Sequence, residues 1–113
     1  MTIIVCGGRN YTDRAHVFAT LDKLHAERPI THLIHGGARG ADAHGREWAF
    51  ERNVPTTAFM AEWKHKGKAA GPIRNRRMLE TGKPDLVVAF PGGRGTADMC
   101  RQARAAGVEV IEA

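Results

Sequence analysis

Leu86-Val87-Val88-Ala89-Phe90 runs directly into Pro91-Gly92-Gly93-Arg94-Gly95-Thr96. A continuous apolar run of this length is the pattern of a strand buried on both faces, as in a parallel sheet covered by helices. The glycines let the backbone turn sharply and bring its amides close to a guest. A helix starting after such a turn offers free N–H groups and a partial positive charge, which suits phosphate. Two more stretches repeat the pattern: Ile3-Ile4-Val5-Cys6 before Gly7-Gly8-Arg9-Asn10, and Leu33-Ile34-His35 before Gly36-Gly37-Ala38-Arg39-Gly40-Ala41-Asp42. Each loop carries an arginine, whose planar fork matches phosphate or carboxylate oxygens.

Outward from these loops, apolar runs alternate with segments of helical period. This predicts repeated βα units and a five-stranded, mainly parallel sheet with helices on both faces, a Rossmann-like α/β fold of three layers. Strands are expected at about 2–6, 31–35, 56–60, 85–90 and 108–111. Helices are expected at about 13–27 (capped by Thr12 or Asp13), 41–52 and 72–81, with a last one capped by Thr96 and ended by Gly107. Gly82 is expected just past the end of the third helix. The stretch 61–71 reads as irregular. Right-handed crossovers bring all the glycine loops to the carboxyl edge of the sheet. A strand order of 3-2-1-4-5 sets the first and third loops across a crevice at the point where the order reverses.

The 113 residues make one domain, 1–113. No apolar run approaches the roughly 20 residues of a membrane helix, and residues 1–6 read as a strand and not as a leader. Cys6 and Cys100 are expected as reduced, buried thiols of a cytoplasmic protein. The 17 basic and 12 acidic residues leave a net charge of +5. That favours an anionic partner, either a phosphorylated small molecule or nucleic acid. From Lys64 to Arg77 there are six basic residues and no acidic one, and Trp63 stands at the head of this run. Trp63 with Lys64 and Lys68 is read as a lid that stacks on a base. The histidines show no ligand spacing, so neither metal nor cofactor is expected. The chain has no serine, and no nucleophile–histidine arrangement is visible.

Pro91-Gly92-Gly93-Arg94-Gly95-Thr96, Gly36 to Asp42, and Ala70-Gly71-Pro72-Ile73-Arg74-Asn75-Arg76-Arg77-Met78, together with Gly7-Gly8-Arg9, resemble the motifs of the SLOG superfamily. That group includes the lonely-guy phosphoribohydrolases and the DprA single-strand DNA-binding proteins, and the resemblance runs to its small YspA-like branch. It implies a nucleotide or nucleotide-derived ligand held by Gly7, Gly8, Arg9, Gly36, Gly37, Arg39, Gly40, Asp42, Arg74, Asn75 and the loop Pro91–Thr96. A homodimer is the habit of the group. In the phosphoribohydrolases an arginine four residues before a helical methionine acts with a glutamate three residues after the loop threonine. The arginine corresponds to Arg74, with Met78 in place. The glutamate position is Met99, and methionine neither stabilises a ribosyl cation nor activates water. Asp42 and Asp98 are the carboxylates left to act with Arg74. The first expectation is therefore binding of a nucleotide-derived molecule, the second N-glycosidic cleavage of a nucleoside 5′-monophosphate, and the third single-strand nucleic-acid binding.

Overall fold

The computed structural model describes residues 1–113. Five strands, β1 (Thr2–Cys6), β2 (His32–His35), β3 (Thr56–Ala58), β4 (Leu86–Ala89) and β5 (Glu109–Glu112), form one sheet in the order β3-β2-β1-β4-β5. Every pairing is parallel. Five helices connect them: α1 (Arg14–Glu27), α2 (Ala41–Glu51), the single-turn α3 (Trp63–Lys66), α4 (Ala70–Gly82) and α5 (Arg94–Ala105). The expected architecture and strand order are those observed.

Alternation along the strands decides which layer each side chain joins. Ile3 and Val5 of β1, Leu33 of β2 and Leu86 and Val88 of β4 face α1 and α2, where Val17, Leu21, Trp48 and Ala49 complete one apolar cluster. Ile4, Cys6, Ile34, Val87 and Ala89 face the other way, onto Met78 of α4 and Met99, Cys100 and Ala103 of α5. The central strands are thus apolar on both sides and buried. β3 lies at the edge, and its three residues are exposed. It stops at Ala58, two residues short of the expected end. Phe59 keeps one ladder bond, donating its N–H to His35 O at 2.9 Å.

Local chemistry sets the helix ends. Asp13 caps α1, its Oδ1 accepting from the His16 N–H at 3.0 Å. Three expectations are corrected. The stretch 61–71 is not irregular: α3 and a 3₁₀ turn at Gly67–Ala69 lead into α4, which begins at Ala70. Pro72 still falls in the first turn of α4, where no N–H is needed. Gly82 is the last residue of α4, and Lys83 takes the left-handed position at φ 46°. A Cβ at 82 would press on the terminal methyl of Ile34, which would have to turn aside. Thr96 is not the cap of α5. That position belongs to Gly93, and Thr96 is the third residue of the helix, within its first turn.

Candidate functional site

The three glycine loops close on one another through their backbones. The Gly8 N–H donates to Pro91 O at 2.9 Å, and Gly8 O accepts from the amides of Tyr11 and Ala41, both at 3.2 Å. Gly40, at φ 72°, brings α2 in over the first loop, and a Cβ there collides with the carbonyls of Gly8 and Arg9. Gly92 is as restricted, since a Cβ there meets the Gly8 amide at 2.7 Å. The short approach of the loops is what demands glycine at these two places.

Where they meet, a cavity of about 480 Å³ opens at the carboxyl edge of the sheet. Gly7, Gly8, Arg9, Asp42, Trp63, Arg74, Asn75, Gly93, Gly95 and Thr96 line it, so residues from every motif read in the sequence converge there. Gly36, Gly37, Gly40, Pro91 and Gly92 shape the loops without lining the cavity. Arg39 and Arg94 are exposed and flank lining residues without lining it themselves; Lys64 and Lys68 are exposed and do not line it, whereas Trp63 of the same segment does. The floor was not read from the sequence: Cys6 at the end of β1 and Met78 on α4 form it. The signal was available for Cys6, because the last residue of a strand abuts the loop that follows.

Asp42, which is buried, and Arg74, which is half-buried, are the charges deepest in this cavity. Asp42 is 5% exposed. Its Oδ2 accepts from the Gly36 N–H at 2.8 Å and the Ala38 N–H at 3.4 Å, while Oδ1 takes no hydrogen bond from the protein. Burial pushes its carboxyl above the usual carboxylate range, and the Gly36 and Ala38 amides, Arg74 and Arg9 hold that rise back. Arg74 donates through Nη1 to Gly36 O at 2.7 Å and Phe59 O at 3.4 Å, and through Nε to Asn75 Oδ1 at 3.1 Å. Its Nη2 has no protein partner, so the guanidinium is fixed at one end and unengaged at the other. Burial lowers its pKa, and Asp42 opposes that.

Asn75 donates to Gly95 O at 3.1 Å and Asp98 Oδ2 at 3.0 Å, tying α4 to the first turn of α5. Asp98 also accepts from Gln102 at 2.7 Å and Arg101 at 2.7 Å. These donors occupy both its oxygens, and it does not line the cavity, so its place is to orient Asn75. Met99 is fully buried in the apolar cluster between α5 and the sheet. His35, also buried, accepts the Gly37 N–H at Nδ1 over 3.0 Å. Burial, with Arg46 and Arg74 nearby, lowers its pKa, so the ring is neutral and shapes the second loop. Burial raises the pKa of the Cys6 thiol far above its usual value, with Cys100 and Asp42 adding to the rise, so Cys6 is no nucleophile.

The mouth is positive. Arg9, Arg39 and Arg94 take part in none of the ion pairs of the protein. The Arg9 guanidinium sits 5.5 Å from the Trp63 ring centroid, and Trp63 in turn rests on Gly71 of α4. No side chain caps α5, so the amides of its first turn are open to the cavity region. No three His, Cys, Asp or Glu side chains gather as a metal-ligand set, and no helix is long and apolar enough to cross a membrane.

Comparison with known proteins bears on this geometry. The model of the YAcAr family, described as the YspA, cpYpsA-related SLOG family, matches residues 1–65. The Gene 61 protein of Mycobacterium phage D29 is 38% identical over 117 residues, covering 96% of this chain and 93% of that one. The fold is similar to that of DNA processing protein A (DprA) from Streptococcus pneumoniae, with a TM-score of 0.56 at 18% identity. That likeness covers 97% of this chain and 58% of the other, so this chain spans little more than half the length of that protein.

Proposed function

The chain belongs to the YspA, cpYpsA-related SLOG family, and from that premise we propose that it binds a nucleotide-derived, phosphate-containing small molecule in the cavity at the carboxyl edge of the sheet. One observation carries this reading: Arg9 without an ion-pair partner, an uncapped helix start and the anchored Arg74 face one cavity of nucleotide size. Phosphate sits over Gly93–Thr96, where the α5 amides, Arg9 and Arg74 Nη2 supply donors. Trp63 offers a face for a base. Asp42 Oδ1 accepts from a sugar hydroxyl. The place of the phosphoribohydrolase glutamate is filled by Met99, which supports binding without turnover.

Thermal unfolding with AMP, ADP and ADP-ribose at millimolar concentration tests it. Saturation at about 100 times Kd adds about 2.7 kcal/mol of stability, which reads as a rise of several degrees in Tm. No shift with any of the three overturns the reading.

A second reading has its own support, the Asp42 carboxyl sharing the cavity with Arg74 and pushed upward by burial. In that step Asp42 passes a proton to the base nitrogen as the C1′–N bond breaks, and its carboxylate takes a proton back from the water whose oxygen bonds to C1′. Free base released from AMP, and lost in Asp42→Asn, supports this hydrolysis. An unchanged AMP pool after long incubation removes it and leaves binding alone.

A further inference from the structure

A seam of polar groups joins α4 to α5 beside the apolar cluster of Met78, Met99, Cys100 and Ala103. Asn75 is 3% exposed and Asp98 9%. Asp98 Oδ2 accepts from Asn75 at 3.0 Å and from Gln102 at 2.7 Å, and Gln102 also donates to Pro72 O at 3.1 Å. Asn75 gives its other N–H to Gly95 O at 3.1 Å. Buried polar groups matched this fully specify one arrangement, so the seam sets α4 in register against the first turn of α5.

The seam also decides which way the Asn75 amide faces. A carboxylate and a carbonyl oxygen only accept, so the amide nitrogen turns to Asp98 and Gly95 and its oxygen turns away from them. There the oxygen accepts from Arg74 Nε at 3.1 Å. Neighbouring residues on a helix diverge by about 100°, so this bond draws the Arg74 side chain back across α4. The donors of Arg74 are then accounted for: Asn75 takes Nε, Gly36 O and Phe59 O take Nη1, and Nη2 is left for a guest. Arg9 lines the same cavity with like charge, so an untethered Arg74 would be driven away from it.

We propose that Asn75 is a positioning residue and no ligand contact: Asp98 and Gly95 set its amide, and its oxygen sets the Arg74 guanidinium with Nη2 toward the guest. The relay Asp98–Asn75–Arg74 ties the arginine of the cavity to the helix start that faces it. This inference rests on the binding role proposed for the cavity, but the hold of Asn75 on Arg74 is measurable without a ligand.

Proton–nitrogen NMR spectra of the ligand-free chain read that hold at the Arg74 Nε–H, identified by its disappearance in Arg74→Lys. Its exchange with water is slow in the native chain and rises about tenfold or more in Asn75→Ala. Asp98→Asn, which keeps the shape of the side chain, lets the Asn75 amide turn over and raises the same exchange. An exchange rate that stays as it was in either variant overturns the proposal.

Calorimetry with AMP, ADP and ADP-ribose reads the consequence. For a compound that binds the native chain, Asn75→Ala weakens binding about tenfold. In the Arg74→Ala background the same change costs less than about twofold, because Asn75 acts through Arg74. Should Asn75→Ala fail to fold, Asp98→Asn carries both measurements. Equal losses in the two backgrounds overturn the positioning role and leave the cavity reading standing. If none of the three compounds binds the native chain, the cavity reading fails, and the Nε–H exchange still decides whether Asn75 holds Arg74.

Discussion

Arginines on the α1–α2 flank and arginines at the carboxyl edge of the sheet are put to opposite uses. On the flank, Arg14 reaches Glu47 at 2.8 Å and Glu51 at 3.2 Å while its guanidinium lies 4.0 Å from the Phe18 ring centroid. Arg52 grips both oxygens of Asp22 at 2.9 Å, and Trp48 donates to the same carboxylate. At the carboxyl edge, Arg9, Arg39 and Arg94 form no ion pair. A cation matched inside the protein gains little from a further anion, whereas an unmatched one is free to meet a guest. The positive charge that matters is thus set by pairing and not by count, and it is concentrated where the glycine loops meet.

The strongest challenge to this contrast is made at the backbone that creates the edge. Gly40→Ala places a Cβ against the carbonyls of Gly8 and Arg9 at a positive φ, and is expected to cost about 3 kcal/mol or more. Gly95→Ala, where a Cβ meets nothing within 4 Å, is expected to change stability by less than about 0.5 kcal/mol. Denaturant midpoints for the two variants measure this, and equal losses mean that the loops do not depend on the Gly8–Gly40 approach.

A smaller effect separates the two kinds of arginine. Arg9→Ala is expected to weaken nucleotide binding about tenfold, the loss of one charge-assisted contact, with Tm unchanged in the absence of ligand. Arg52→Ala is expected to do the reverse, lowering Tm slightly and leaving affinity as it was. The Tm loss should shrink in high salt, since the pair is exposed. Titrations and melting curves on both variants decide the matter, and a shared loss of affinity breaks the division.

The smallest effect concerns the second loop and carries a pH signature. Folding lowers the His35 pKa below its ordinary value of 6.5, so its contribution is complete above that value and declines as pH falls. The stability gap between the native chain and His35→Gln is expected to be about 1 kcal/mol near pH 7.5 and to narrow toward pH 5. Urea midpoints at the two pH values test this, and a constant gap removes His35 as a neutral prop of the loop.

Much of this molecule was legible in the chain, for identifiable reasons. Continuous apolar strands such as 86–90 can be buried only between two helical layers, and a parallel sheet delivers the following loops to one edge. That places Gly7–Arg9, Gly36–Asp42 and Pro91–Thr96 together from the chain pattern alone. Asp13 was readable as a cap because its carboxylate satisfies a local amide. Thr96 was misread for the same local reason: a threonine near a helix start is a plausible cap, but Gly93 ends the turn three residues earlier. The α3 turn was missed because Lys64 to Lys68 offer no apolar period, and what holds it in place is Trp63 resting on Gly71. Arg39 and Arg94 shared the motif pattern with Arg9, yet stand beside the cavity and do not line it.

The sequence by itself determined the layers, the strand order and the edge at which the loops gather, because alternation, helical period and crossover hand are properties of the chain read locally. Only the tertiary structure decided which charges are spent and which are free. Asp98 is consumed by Asn75, Arg101 and Gln102, Arg74 is half anchored on Gly36, and Arg9 is left unmatched, because pairing depends on distances between elements that no local pattern encodes.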